Sequence, residues 1–150
     1  MRCVTAFLLV AATALPTDGA YGQGDRVFID VTEAAALLAR PGAVVLDVGR
    51  PDSLVRAGRI PGARALPLRE IVVTRNGHLT ELPPVEDVAR ALAARGVRDG
   101  APVLLYGEPL AAARAWLTLD VLGHGAGARI LDGGLAAWRA AGRPLETGAT

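Results

Sequence analysis

Residues 128–145 read ARILDGGLAAWRAAGRPL, and this stretch decides the fold. It begins with ARIL at residues 128–131, a mainly apolar run that predicts a short buried strand. A helical pattern over residues 134–141 follows directly, and Gly142 and Pro144 end it. A strand that leads straight into a helix is the unit from which helix-covered parallel sheets are built. The stretch therefore predicts an α/β protein.

The same alternation of strand and helix runs through the residues before this stretch. Strands are predicted at residues 27–30, 43–48, 65–66 and 102–106, and helices at residues 33–40, 51–56, 84–95 and 111–122. Asp30 or Thr32 can cap the first helix. A capping box needs a glutamate or glutamine three residues after the cap, and Thr32 has Ala35 at that position. Because parallel sheets bind ligands beyond the carboxyl ends of their strands, the loops after Val48 and Tyr106 form the candidate site.

Composition bounds the size of the protein and the class of its partners. At 150 residues the chain fits one domain, and 51% of its residues are hydrophobic while only 4% are aromatic. All 16 basic residues are arginine, they are scattered among 15 acidic residues, and the net charge is +1. Nucleic-acid-binding surfaces concentrate positive charge on one face. The charge pattern therefore argues against a nucleic-acid partner.

The first residues have the pattern of a secretory signal peptide. Arg2 supplies the positive end, residues 4–15 form an uncharged apolar run, and small residues follow near Ala20. We expect a signal peptide at residues 1–23, a secreted, periplasmic protein, and no stable membrane span after cleavage; a short uncleaved anchor is the alternative. The only cysteine, Cys3, precedes the apolar run and would be removed with it. The mature protein would then have no thiol and no disulfide.

Four motifs in a fixed order resemble one family. The first motif is Asp47 at a strand end, followed by GRIPGA at residues 58–63. The second is VLLY at residues 103–106, followed by ARAW at residues 113–116. The third is LGH at residues 122–124, and the fourth is LDGGLAAW at residues 131–138 with AGRPL at residues 141–145. Together they resemble the rhodanese-like sulfurtransferase family over residues 28–147. The resemblance implies a central parallel sheet of about five strands with helices on both faces.

In that family a cysteine persulfide carries a sulfane sulfur, and the cysteine opens a six-residue loop between a strand and a helix. Matching the flanking elements places Gly107 at the cysteine position, so no catalytic residue is predicted. The corresponding loop is Gly107, Glu108, Pro109, Leu110, Ala111 and Ala112. The resemblance implies that this anion-binding loop is degenerate: Glu108 adds negative charge, Pro109 has no N–H donor, and Ala112 replaces a polar group that contacts substrate.

These observations predict a non-catalytic binding or accessory module in sulfur metabolism, whose partner is a sulfur-carrying protein or a small anion. The alternative is a sulfurtransferase that relies on a thiol lent by a partner. Arg50 could bind an anion beside the site, or it could be a solvated surface residue. His78 and His124 are far apart and match no zinc pattern, so neither a metal nor a cofactor is predicted. Arg59 replaces the histidine of the family GHIPGA motif, and we expect it to form similar structural hydrogen bonds.

Overall fold

The computed structural model of the chain describes residues 26–49 and 58–147, apart from the side chains of residues 78–80. The predicted signal peptide, Arg50 and the predicted helix at residues 51–56 lie outside the described residues. No helix within the described part of the chain is both long and apolar enough to cross a membrane.

A five-stranded parallel sheet forms the centre of the protein. The seven strands are β1 (Phe28–Ile29), β2 (Val44–Asp47), β3 (Arg64–Ala65), β4 (Val73–Arg75), β5 (His78–Glu81), β6 (Val103–Tyr106) and β7 (Ala128–Leu131). The sheet has the order β1-β7-β6-β2-β3, and all of its neighbouring strands are parallel. β4 and β5 form a separate antiparallel hairpin across the turn at Asn76 and Gly77, both of which have positive φ.

Four helices cover the sheet. They are α1 (Val31–Leu38), α2 (Val85–Ala94), α3 (Pro109–Val121) and α4 (Gly134–Ala140), and short 3₁₀ turns lie at Leu68–Glu70 and Gly125–Gly127. α1 begins with a complete capping box, because Asp30 accepts from the Glu33 N–H and the Glu33 side chain accepts from the Asp30 N–H. Of the two candidate caps, Asp30 is the one used.

Alternate strand residues face two separate cores, as the pleat of a strand requires. Val44, Leu46 and Val103 belong to the core that packs against α2 and α3. Val45 and Leu104 belong to the core that packs against α1 and α4. Both faces of the central strands are therefore buried, which explains their unbroken apolar runs. The predicted α/β fold, with a parallel sheet of five strands and helices on both faces, is confirmed.

Candidate functional site

A cleft of about 410 Å³ opens at the carboxyl ends of β2 and β6. Three segments line it: the end of β2 with its following loop, the junction between β6 and α3, and the first turn of α4. The first two segments are the loops that the sequence predicts as the site. The third segment comes from the LDGG motif, which the sequence reasoning used for the fold and did not place in the site.

Asp47 and Tyr106 form the buried floor of this cleft. They lie opposite each other in the register of β2 and β6, and both side chains are buried. One carboxylate oxygen of Asp47, Oδ1, accepts a hydrogen bond from the Gly49 N–H at an N···O distance of 2.7 Å. Asp47 therefore fixes the start of the loop after β2.

The Tyr106 hydroxyl is the least satisfied polar group of the cleft. Its residue is only 1% exposed, and among the described residues the hydroxyl makes no hydrogen bond of ordinary geometry, although Asp47 and the Ile60 backbone approach it. Burial and the neighbouring Asp47 carboxylate raise the pKa of Tyr106 well above its ordinary value. The phenol therefore stays protonated at physiological pH and can act as a hydrogen-bond donor.

Burial also affects the protonation of Asp47, the carboxyl group on the floor of the cleft. The pKa of Asp47 is raised by burial, and the hydrogen bond from the Gly49 N–H and the nearby Tyr106 hydroxyl oppose that rise. An ionised carboxylate at this position repels a small anion. The floor of the cleft therefore offers one hydroxyl donor and one acid group, and neither is a sulfur nucleophile.

Gly107 has a backbone conformation that only glycine adopts readily. Its φ is 140°, and a Cβ atom built on it would lie 2.6 Å from the Gly49 nitrogen and 2.8 Å from the Val48 carbonyl carbon. Real Cβ atoms do not approach backbone atoms this closely. The position that matches the family cysteine therefore has no room for a side chain unless the loop after β2 moves.

The predicted six-residue loop is much shorter in the structure. α3 begins at Pro109, so only Gly107 and Glu108 lie outside the helix. Proline suits the first helical position, because its fixed φ matches the helix and its missing N–H would have no partner there. Ala111 and Ala112 are buried in the core beneath α3, while Leu110 points to solvent. The expectation that Pro109–Ala112 form a loop, and that Ala112 faces a substrate, was wrong for this reason.

The wall opposite α3 consists mainly of backbone. Gly133 and Gly134 have φ of 67° and 54°, and a Cβ atom on Gly134 would lie 3.6 Å from the Gly107 carbonyl oxygen. A Cβ atom on Gly133 would lie 2.7 Å from the Cβ of Ala137 in the next turn. The positive φ values favour glycine at both positions, and a side chain on Gly133 would also collide with α4 itself. The paired glycines of the LDGG motif were the sequence signal for this wall.

Arg59 is buried and contacts the carboxyl-terminal segment of the chain at Glu146. Its side chain is 7% exposed, its Nε lies 3.3 Å from Glu146 Oε2, and the two residues also form a backbone bridge in both directions. Glu146 Oε2 accepts from the Gly62 N–H as well, and these contacts lower the pKa of Glu146. Arg59 thus has a structural role, which is what the sequence predicts for it, and its partner is the carboxyl-terminal segment.

Of the other residues considered in the sequence, His124 is not among the described lining residues of the cleft. Arg50 lies outside the described residues, so its role as an anion ligand stays a prediction. His124 precedes a 3₁₀ turn, and the side chain of His78 is not described. Within residues 26–49 and 58–147 no group of three or more histidine, cysteine, aspartate or glutamate side chains could hold a metal ion.

Comparison with known proteins identifies the class to which this fold and cleft belong. The chain matches the model of the family "Rhodanese-like domain" over residues 30–141, and it therefore belongs to that family. It is 38% identical over 133 residues to the "Probable 3-mercaptopyruvate sulfurtransferase" of Pseudomonas aeruginosa, an alignment that covers 77% of this chain and 45% of that protein. It is 34% identical over 137 residues to the "Putative thiosulfate sulfurtransferase SseB" of Mycobacterium tuberculosis, covering 82% of this chain and 47% of the relative.

Solved structures agree with the family assignment. The 3-mercaptopyruvate sulfurtransferase SseA of Escherichia coli aligns with a TM-score of 0.70 at 27% identity, covering 83% of this chain and 52% of that one. The Leishmania major 3-mercaptopyruvate sulfurtransferase aligns with a TM-score of 0.72 at 24% identity, covering 87% and 38%, and shows the fold alone. The chain spans about half the length of the curated relatives just named.

Proposed function

We propose that this protein is a non-catalytic binding module of the rhodanese-like family with a role in sulfur metabolism. One observation supports the proposal above all: at the position of the family cysteine stands Gly107, whose φ of 140° and close contact with the Gly49 backbone leave no space for a nucleophilic side chain. The membership of the family supports the link to sulfur metabolism.

The chemistry of the cleft agrees with this proposal. The ionisable side chains among its described lining residues are Asp47, Tyr106 and Glu108. None of them forms a persulfide, and the one cysteine of the chain, Cys3, belongs to the predicted signal peptide. Sulfur transfer through a covalent enzyme intermediate needs a thiolate. A chain cleaved near residue 23 would therefore lack the group that carries the sulfur.

The proposed ligand is a sulfur-carrying partner protein in preference to a free small anion. Two carboxylates line the described part of the cleft, and Pro109 removes one donor from the start of α3. Both features weaken the attraction for a small anion such as thiosulfate. A partner protein can instead make contacts outside the cleft and present its sulfur group at the cleft mouth, above the buried Tyr106 hydroxyl.

We expect the purified protein without residues 1–23 to transfer sulfur from thiosulfate to cyanide no faster than a heat-treated sample. Thiocyanate formation measures the rate, and an active rhodanese-like enzyme assayed in parallel shows that the assay works. Thiocyanate formation above the heat-treated control would contradict the proposal. Formation that appears only after a thiol such as glutathione is added would favour the alternative of a sulfurtransferase with a borrowed thiol.

We also propose that the protein is exported to the periplasm after cleavage near residue 23. The positive Arg2, the apolar run at residues 4–15 and the small residues after it support this proposal. In a Gram-negative host we expect the full-length chain to yield a periplasmic product whose mass lacks about 23 residues. Substituting Leu8 and Leu9 with arginine should retain the unprocessed chain in the cytoplasm. A cytoplasmic wild-type product of full-length mass would contradict the proposal.

A further inference from the structure

The outer surface of α3 carries an exposed apolar stripe, formed by Leu110, Ala113, Leu117 and Val121. The three larger side chains are 85%, 47% and 61% exposed. Spacings of three and four residues place all four on one side of a helix. The opposite side of α3 is already buried in the core through Ala112, Ala115 and Leu119. α3 is therefore apolar on both sides, whereas a surface helix usually presents polar residues to solvent.

A groove of about 340 Å³ runs beside this stripe. Leu68, from the 3₁₀ turn at Leu68–Glu70, forms its far side and is itself 37% exposed. The groove is lined by Leu68, Leu110, Ala113, Arg114 and Leu117, so Arg114 is its one polar residue among the described residues. The groove thus combines a mainly apolar surface with a single cationic group.

The guanidinium of Arg114 has no partner in the described structure. Its Nε is buried and makes no hydrogen bond, and no ion pair of the side chain is formed with the described residues. A buried donor that lacks an acceptor is costly, and a charged one more so. A carboxylate placed in the groove would pair with the Arg114 guanidinium, which lines it, and would offset the cost of this uncompensated charge. The positive charge of Arg114 therefore favours a binding partner that places an acidic side chain in the groove.

The dimensions of the stripe favour a helix as its occupant. From Leu110 to Val121 the stripe extends over three turns, about 16 Å along the helix axis. Helices pack along such rows of side chains by inserting ridges into grooves. A small molecule would cover only the groove and would leave Val121, which lies outside its lining, in solvent. The whole stripe is matched by one apolar face of another helix.

We propose that the α3 stripe binds an amphipathic helix of a partner protein, and that a carboxylate of this helix pairs with Arg114. A second copy of this chain is a poorer occupant. A twofold contact would bring the same surface of both copies together. Arg114 of each copy would then face a groove whose described lining contains no carboxylate. The stripe lies outside the cleft, so the inference does not depend on whether the cleft is catalytic.

Two synthetic helical peptides test the proposal. Both carry leucines at spacings of three and four residues over three turns; one has a glutamate beside the central leucine, and the other has a lysine there. Binding to the purified protein without residues 1–23 is measured by fluorescence anisotropy. We expect the glutamate peptide to bind about tenfold more tightly than the lysine peptide, a difference of about 1.4 kcal/mol. Arg114→Gln should remove the preference, and Arg114→Glu should reverse it.

Leu117→Asp should abolish binding of both peptides, because it places a charge in the middle of the stripe. Val85→Asp is the matched control, since Val85 is a similarly exposed apolar residue on α2 and its substitution should leave binding unchanged. Circular dichroism tests whether each variant is folded. If Leu117→Asp is not folded, the Arg114 variants alone decide the question.

No binding at millimolar peptide, equal affinity for both peptides, or equal losses from Leu117→Asp and Val85→Asp would overturn the proposal. A wild-type dimer in sedimentation that Leu117→Asp dissociates would assign the stripe to a second copy and overturn it as well.

Discussion

Gly107→Ala is expected to lower the free energy of unfolding by about 3 kcal/mol. Two causes add together. At a φ of 140° any residue with a Cβ atom is strained, and this Cβ would collide with the backbone of Val48 and Gly49. Backbone atoms of a loop next to a buried strand cannot move aside as a flexible side chain can. Denaturant unfolding of wild type and variant measures the difference.

Gly100→Ala separates the two causes. Gly100 also has a positive φ, 71°, but a Cβ atom there would meet no atom within 4 Å. This control should therefore lose only the conformational part, about 1 kcal/mol. Equal losses at the two positions would show that the approach of Gly49 does not restrict residue 107, and the main support for a non-catalytic cleft would be removed.

Arg59→Ala is the second change with a large expected effect, a loss of about 3 kcal/mol in the free energy of unfolding. Most of the loss comes from the buried stem of the side chain, because truncation leaves a cavity in the core and removes packing. The ion pair itself contributes less, since Glu146 is 43% exposed and solvent screens the interaction. Denaturant unfolding again provides the measurement.

Arg90→Ala is the matched control for this prediction. Arg90 pairs with Asp87 at 2.9 Å on the surface of α2, and both side chains are largely exposed. Its loss should be no more than about 0.5 kcal/mol. Glu146→Gln should fall between the two, since it removes the charge and retains the backbone bridge to Arg59. A loss from Arg59→Ala as small as that from Arg90→Ala would contradict the structural role of Arg59.

The sheet could be predicted from sequence because its central strands are buried on both faces. Mainly apolar runs at residues 44–47, 103–106 and 128–131 predict buried strands, and the helices between them favour a parallel arrangement. The β4–β5 hairpin was missed. Only its Asn76-Gly77 turn was recognised, because strands of three and four residues with mainly polar side chains give no periodic signal.

The candidate site could be predicted in position but not in detail. The ends of β2 and β6 were identified correctly as lining the cleft, whereas the contribution of Gly133 and Gly134 depends on a long-range approach that no local pattern reports. The start of α3 was placed two residues late, although Pro109 is a recognisable first helical residue. The unpaired hydroxyl of Tyr106 could not be foreseen either, because hydrogen-bond satisfaction depends on the surrounding tertiary structure.

The backbone at Gly107 has a consequence for how such a chain can evolve. A glycine codon and a cysteine codon can differ by a single base, so mutation readily supplies a cysteine at this position. The resulting protein would carry the full strain of the β6–α3 junction before its thiol had a loop to support it. A compensating change in the segment after β2 would have to come first. Regaining a cysteine here therefore requires an ordered pair of changes, and selection for stability opposes taking them in the reverse order.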